Sequence, residues 1–106
     1  MSLSTHVLDA VTGTPAVAVA VTLTGADGAV LASGRTDDDG RIGSFGGQLS
    51  EGCYRISFDT GGYFAAAGVT TFYPEVTVAF EITDPAAHHH VPLLLAPYSY
   101  STYRGS

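Results

Sequence analysis

Basic charge is what this sequence has least of: four Lys and Arg residues stand against ten Asp and Glu, giving a net charge of −6 at pH 7. So few cations cannot form a basic stripe, which excludes nucleic acid and anionic membrane as partners and leaves a small molecule as the expected one. Cysteine is reduced to Cys53, so neither an internal disulfide nor a cysteine zinc site can be built. The expectation for Cys53 is a small, buried apolar residue. No apolar run approaches the roughly 20 residues needed to span a bilayer, and no basic leader with a long apolar core precedes the first patterned segment at Thr5. The chain is therefore expected to stay in the cytoplasm, where it is made.

What is abundant is apolar surface. Hydrophobic residues make up 45% of the chain and charged ones only 13%, a balance that predicts a face covered by another subunit. At 106 residues the chain reads as one domain, 1–106, forming an oligomer.

Along the chain the recurring signal has period two. His6-Val7-Leu8-Asp9 runs to a turn at Thr12-Gly13-Thr14-Pro15. From Ala16 onward, Val17, Val19, Val21 and Leu23 alternate with Ala18, Ala20, Thr22 and Thr24, predicting a half-buried strand. Asp27-Gly28 before Ala29-Val30-Leu31-Ala32-Ser33 is a hairpin signal. Tyr54, Ile56 and Phe58 alternate with Arg55 and Ser57, and Val76, Val78, Phe80 and Ile82 with Thr77, Ala79 and Glu81. Between them Asp59 or Thr60 caps a helix of one or two turns from Gly61 to Ala67, closed by Gly68. The sum is an all-β chain: a two-sheet antiparallel β-sandwich of seven to eight strands with one short helix.

Two stretches carry candidate chemistry. The acidic turn Asp37-Asp38-Asp39-Gly40 invites a calcium reading, but Ile42 stands where such a loop needs glycine and Gln48 where it needs glutamate. It reads instead as a solvated turn that places Arg41 at the start of the next extended segment. The second stretch is His88 to Ser106. On a strand, His90, Pro92, Leu94 and Ala96 share one face, while His89, Val91, Leu93 and Leu95 share the other. Pro97 breaks the run, and Tyr98-Ser99-Tyr100-Ser101 folds back, returning the chain end to the neighbourhood of His90. Imidazole, guanidinium and α-carboxylate then meet on an apolar surface, a setting in which pKa values shift.

The segments HVLDAVTGTPA, YRISFDT, FYPEV and HHHVPLLLAP, with YRGS at the C-terminus, resemble the transthyretin-like family over nearly the whole chain. That resemblance implies a sandwich assembled as a homotetramer, two dimers back to back, with clefts at the dimer–dimer contact. YRGS is similar to the ending of the family branch that hydrolyses 5-hydroxyisourate in urate breakdown. The hormone-carrying branch has lysine where this chain has His6, an acidic residue where it has Arg41, and no YRGS. Matched to the hydrolytic pattern, the catalytic residues are His6, Arg41, His90 and Ser106, and substrate is held by His6, Arg41, Tyr103, Arg104, Gly105 and Ser106. No metal and no organic cofactor is implied. In this chain His89 stands where that branch usually has tyrosine and Ala96 where it usually has serine. His88 and His89 are taken as surface or packing residues, and Arg35 and Arg55 as solvated charges or ion-pair partners.

The implied chemistry is opening of a six-membered ring at an amide-type C–N bond. His6 and His90 suit water activation and proton transfer, Arg41 suits a planar oxidised purine and its oxyanion, and Ser106 suits hydrogen bonding that fixes a histidine tautomer. Two other classes compete: a non-catalytic small-ligand carrier of the transthyretin type, and an accessory recognition sandwich. The charged lining weighs against the first, and a chain that begins and ends with the domain against the second.

Overall fold

The period-two pattern folds into two sheets in the computed structural model, which describes residues 3–106. The elements in order are β1 (Leu3–Asp9), β2 (Thr14–Pro15), β3 (Ala20–Gly25), β4 (Val30–Arg35) and β5 (Arg41–Phe45), then β6 (Gly52–Phe58), α1 (Thr60–Ala66), β7 (Val76–Ile82), β8 (His89–Ala96) and β9 (Ser99–Thr102). One sheet runs β2-β1-β8-β9, with β5 also on β1, and the other runs β4-β3-β6-β7. Strand β1 is the hub of the first sheet. Its full length pairs with β8, while its other edge is shared between β5 along Leu3 to His6 and β2 along Leu8 and Asp9.

Alternation decides which side chains fill the space between the sheets. Leu3 and Val7 from β1, Val91, Leu93 and Leu95 from β8, Val21 and Leu23 from β3, and Tyr54, Ile56 and Phe58 from β6 all point inward and are buried. Burying each Leu or Val fully contributes about 1.5–3 kcal/mol, so a slip of one residue on β8 would forfeit several such terms. The strand is thereby fixed with His89 on the core side and His90 outside, as the sequence predicts: His89 is buried and His90 half-buried.

Several sequence expectations are corrected. The sandwich is not wholly antiparallel, because β1 and β8 run parallel. It has nine strands among the described residues rather than seven or eight, the excess arising from the two-residue β2. The strand predicted from Ala16 begins at Ala20. Ala18 adopts φ 61°, which breaks the alternation and turns Val17 out to solvent; the Arg35 guanidinium donates to the Ala18 carbonyl at 3.0 Å and holds the kink. Cys53 is exposed, not buried, because on β6 it alternates with core-facing Tyr54. The helix begins one residue earlier than predicted and is capped by Asp59, whose carboxylate accepts from the Gly62 N–H.

The helix is tied to β1 through a buried carboxylate. Asp9 accepts the Val11 and Thr12 amides at 2.9 and 3.1 Å and the Tyr63 hydroxyl at 2.8 Å. Burial, then the bond to Asp9, pushes the Tyr63 phenol up to about 12, so it stays a donor at any physiological pH.

The acidic turn docks on the same strand. Gly40 has φ 75° and lies so close to β1 that a Cβ there would collide with the Val7 carbonyl oxygen and press on Pro15 Cβ at 3.1 Å. The Val7 N–H donates to the Gly40 carbonyl at 2.7 Å. Only glycine satisfies both demands. Gly40→Ala should therefore destabilise the fold by about 2–4 kcal/mol, read as a lowered urea midpoint at unchanged slope; an unchanged midpoint would show that the turn yields freely.

Candidate functional site

Outer-face geometry follows from strand register. In the parallel pair, Ser4 lies opposite His90 and His6 opposite Pro92; across the antiparallel pair, His6 lies opposite Arg41. Ser4, His6, Arg41 and His90 therefore project from one side of three adjacent strands, β5-β1-β8. They are neighbours in space because directly opposed residues lie about 5 Å apart at Cβ.

The acidic turn sets two of these groups. One Asp37 carboxylate oxygen accepts the Asp39 and Arg41 amides, both at 2.9 Å. The bond from the Arg41 amide is the main reason that Asp37 sits below the usual carboxylate range. Held in this way, the Asp39 carbonyl lies 2.9 Å from His6 Nε2. A carbonyl only accepts, so Nε2 carries the hydrogen and Nδ1 is the free basic nitrogen of neutral His6. The turn read as merely solvated thus fixes the His6 tautomer and delivers Arg41.

His90 is held on two sides. Its Nδ1 lies 2.7 Å from Ser4 Oγ, and the same oxygen lies 2.8 Å from His88 Nε2. On the other side the tail closes back: the Gly105 N–H donates to the His90 carbonyl at 2.9 Å. A Cβ on Gly105 would strike His90 Cδ2. Glycine there lets the tail lie flat against the imidazole and limits its rotation.

The predicted residues do not all line one cavity. A cleft of about 250 Å³ is lined by Ser4, Arg41, His88, His90 and Ser106, with Thr5, Ile42 and Gly43 at its floor and edge. Tyr103 and Arg104 line a second cleft of about 290 Å³ with Phe80, Glu81 and His89, on the far side of His90. His90 is the wall between the two. His6 is not among the residues lining either cleft; its ring is drawn toward the Asp39 carbonyl. Gly105 acts through its contact with His90.

Two residues escaped the sequence reading. Ser4 has no role in the sequence reading, and His88 is there a surface or packing residue, yet both hydrogen-bond at the centre of the site. The signal for Ser4 was present: it precedes His6 by two and so shares its face.

Burial lowers the His90 pKa from the ordinary histidine value, and the positive charges of Arg41, His6 and His88 press the same way, while hydrogen bonding to the Ser4 backbone opposes them. A lowered value leaves His90 neutral at pH 7 and able to accept a proton.

An imidazole kept neutral beside a guanidinium, on the outer face of a two-sheet sandwich, defines a β-sandwich protein equipped for acid–base chemistry on a small polar molecule. The chain belongs to the HIUase/Transthyretin family, whose model matches residues 3–105. A 5-hydroxyisourate hydrolase of Salmonella dublin is 46% identical over 109 residues, covering 98% of this chain and 80% of that protein. The structure of Klebsiella pneumoniae 5-hydroxyisourate hydrolase matches with a TM-score of 0.93 at 43% identity, over 100% of both chains. The transthyretin of Sparus aurata matches with a TM-score of 0.91 at 37% identity, over 98% of this chain and 96% of that one.

The electrostatics of the site are directly measurable. An NMR titration of His90 should give a midpoint below the ordinary value of about 6.5, and Arg41→Gln should raise it by removing a cation. A midpoint at or above 6.5, unmoved by that substitution, would mean that the site does not hold His90 neutral.

Proposed function

We propose that this chain is a hydrolase that opens 5-hydroxyisourate to 2-oxo-4-hydroxy-4-carboxy-5-ureidoimidazoline, a step of purine catabolism. The observation that carries the reading is the clamp on His90: Ser4 at its Nδ1, Gly105 against its ring edge, and Arg41 in the same cleft. With Nδ1 engaged, His90 Nε2 takes a proton from water, and the resulting hydroxide adds to the ring carbonyl. Arg41 offers planar, paired donors to the oxyanion that forms. His6, whose Nε2–H stays on the Asp39 carbonyl, takes a proton from solvent on Nδ1 and gives it to the leaving nitrogen. Ser106 hydrogen-bonds the substrate from the cleft edge, and Tyr103 and Arg104 hold the far side of His90.

A carrier would need an apolar channel, and the cleft at His90 is instead lined by serine, arginine and histidine. The relatives that match over nearly the full chain and are named as hydrolases support the same choice.

The assembly we propose is a homotetramer. Leu8 and Leu94 stand half-buried beside His6 and His90 on the outer face. A second sandwich laid over that face would cover this apolar rim and close the cleft against bulk water.

Two measurements test these readings. Freshly generated 5-hydroxyisourate should lose its absorbance faster with the protein than spontaneously. His90→Ala and Arg41→Lys should each remove roughly 100-fold or more of that rate while the fold is kept; a wild-type protein no faster than buffer would sink the assignment. Sedimentation at micromolar concentration should give four times the chain mass of 10.9 kDa, and a stable monomer would exclude the tetramer.

A further inference from the structure

Ser4 Oγ touches two imidazoles, and a hydroxyl has one hydrogen. At 2.7 Å from His90 Nδ1 and 2.8 Å from His88 Nε2, it can donate to only one of the two rings at a time, and its lone pairs let it accept from the other. Two arrangements of the three groups make a polarised chain that can pass a proton. In one, His90 Nδ1–H donates to Ser4 and Ser4 donates to His88; in the other, both bonds run in reverse. Ser4 is 8% exposed, so bulk water has little access to its hydroxyl, whereas His88 is exposed. All three residues line the same cleft, and the chain of bonds runs from half-buried His90 to exposed His88.

We propose that His88 and Ser4 are positioning residues of the hydrolytic site that carry the proton taken by His90 out to solvent. This rests on the hydrolase reading above. The step balances as follows. The water O–H bond breaks as His90 Nε2–H forms, and the water oxygen bonds to the substrate carbonyl carbon. The Nδ1–H of His90 passes to Ser4 Oγ while the hydroxyl's own proton passes to His88 Nε2. One positive charge has moved from half-buried His90 to exposed His88, and Ser4 is again a neutral hydroxyl. His88 then loses a proton to solvent, and the leaving nitrogen takes its proton from His6.

Charge explains why the proton moves on. His90 is faced by His6 on β1, Arg41 on β5, His88 on its own segment, Glu81 from β7 across the second cleft, and Arg104 and Ser106 from the tail. Arg41, His6 and His88 each oppose a charge on His90, which favours passing a proton on over keeping it. For the same reason His88 and His90 resist being charged together. The relay holds one proton at a time.

The test pairs kinetics with a readout that needs no turnover. His88→Gln keeps a hydrogen-bonding side chain that cannot be protonated, and Ser4→Ala removes the link. Each should lower kcat roughly 10- to 100-fold with KM within about twofold. In His88→Ala, added imidazole should restore part of the lost kcat, which a merely structural gap would not allow. In substrate-free protein, the nitrogen-15 signals of the two rings should titrate as a coupled pair and become independent in Ser4→Ala. Wild-type kcat and pH profile in His88→Gln, or rings that titrate independently with Ser4 present, would overturn the relay and leave the hydrolase reading standing. A wild-type protein without turnover would remove the hydrolase reading, and the ring titrations alone would then decide whether the proton chain exists.

Discussion

The parallel pairing of β1 with β8 is the constraint on which the site depends. Ser4 and His90 are 86 positions apart in the chain and meet at 2.7 Å only because that register is held over seven residue pairs, from Leu3–His89 to Asp9–Leu95. Parallel strands cannot be joined by a tight turn. Here the whole of the second sheet intervenes, so the site forms only when the fold is complete. The register is enforced from inside: Val7 and Leu93 pair directly and are fully buried. Slipping it by one would put His90 in the core and Leu93 in water.

A second constraint acts from the opposite edge of β1. The Asp37 carboxylate gathers two amides, the Gly40 backbone rests on Val7, and the result is one rigid corner that presents Arg41 beside His6 and an acceptor to the His6 ring. A carboxylate caps backbone amides here, and nothing in its partners calls for a cation. The corner and the tail do comparable work on the two histidines. Asp39 fixes the tautomer of His6, and Ser4 with Gly105 fixes the ring of His90.

Whatever depends on period two was legible in the sequence. The inward set on β6, the two faces of β8, the hairpin at Asp27-Gly28 and the return of the tail to His90 all follow from alternation and turn residues. What depends on pairing partners was not. Nothing local says that β1 lies parallel to β8, because register between distant strands is settled by the packing of both. The kink at Ala18 was hidden for a related reason. Its φ of 61° is held by a bond from Arg35 on the neighbouring strand, while the local Ala-Val repeat argues for continuing the strand. His88 and Ser4 were missed together, since each acquires a role only when the other is beside it. Cys53 was misjudged from residue-type frequency, although its alternation with Tyr54 and Arg55 already placed it outside.

The same alternation explains how one backbone can serve two kinds of chemistry. A hydrolase from Klebsiella pneumoniae and a transthyretin from Sparus aurata match this chain with TM-scores of 0.93 and 0.91, too close for the fold to choose between them. On β1 and β8 the inner set of Leu3, Val7, Val91, Leu93 and Leu95 specifies the sandwich, and the outer set of Ser4, His6 and His90 contributes little to the core. Exchanging an outer residue leaves the inner contacts intact, so outer-face chemistry can change at small cost in stability. Function on this fold is therefore decided by a few outward positions. In this chain those positions carry two imidazoles each with one ring nitrogen engaged, an arginine whose backbone amide is held by an acidic corner, and a glycine that admits the tail. A binding surface for an apolar ligand needs none of these, whereas the hydrolytic role proposed for the site uses each of them.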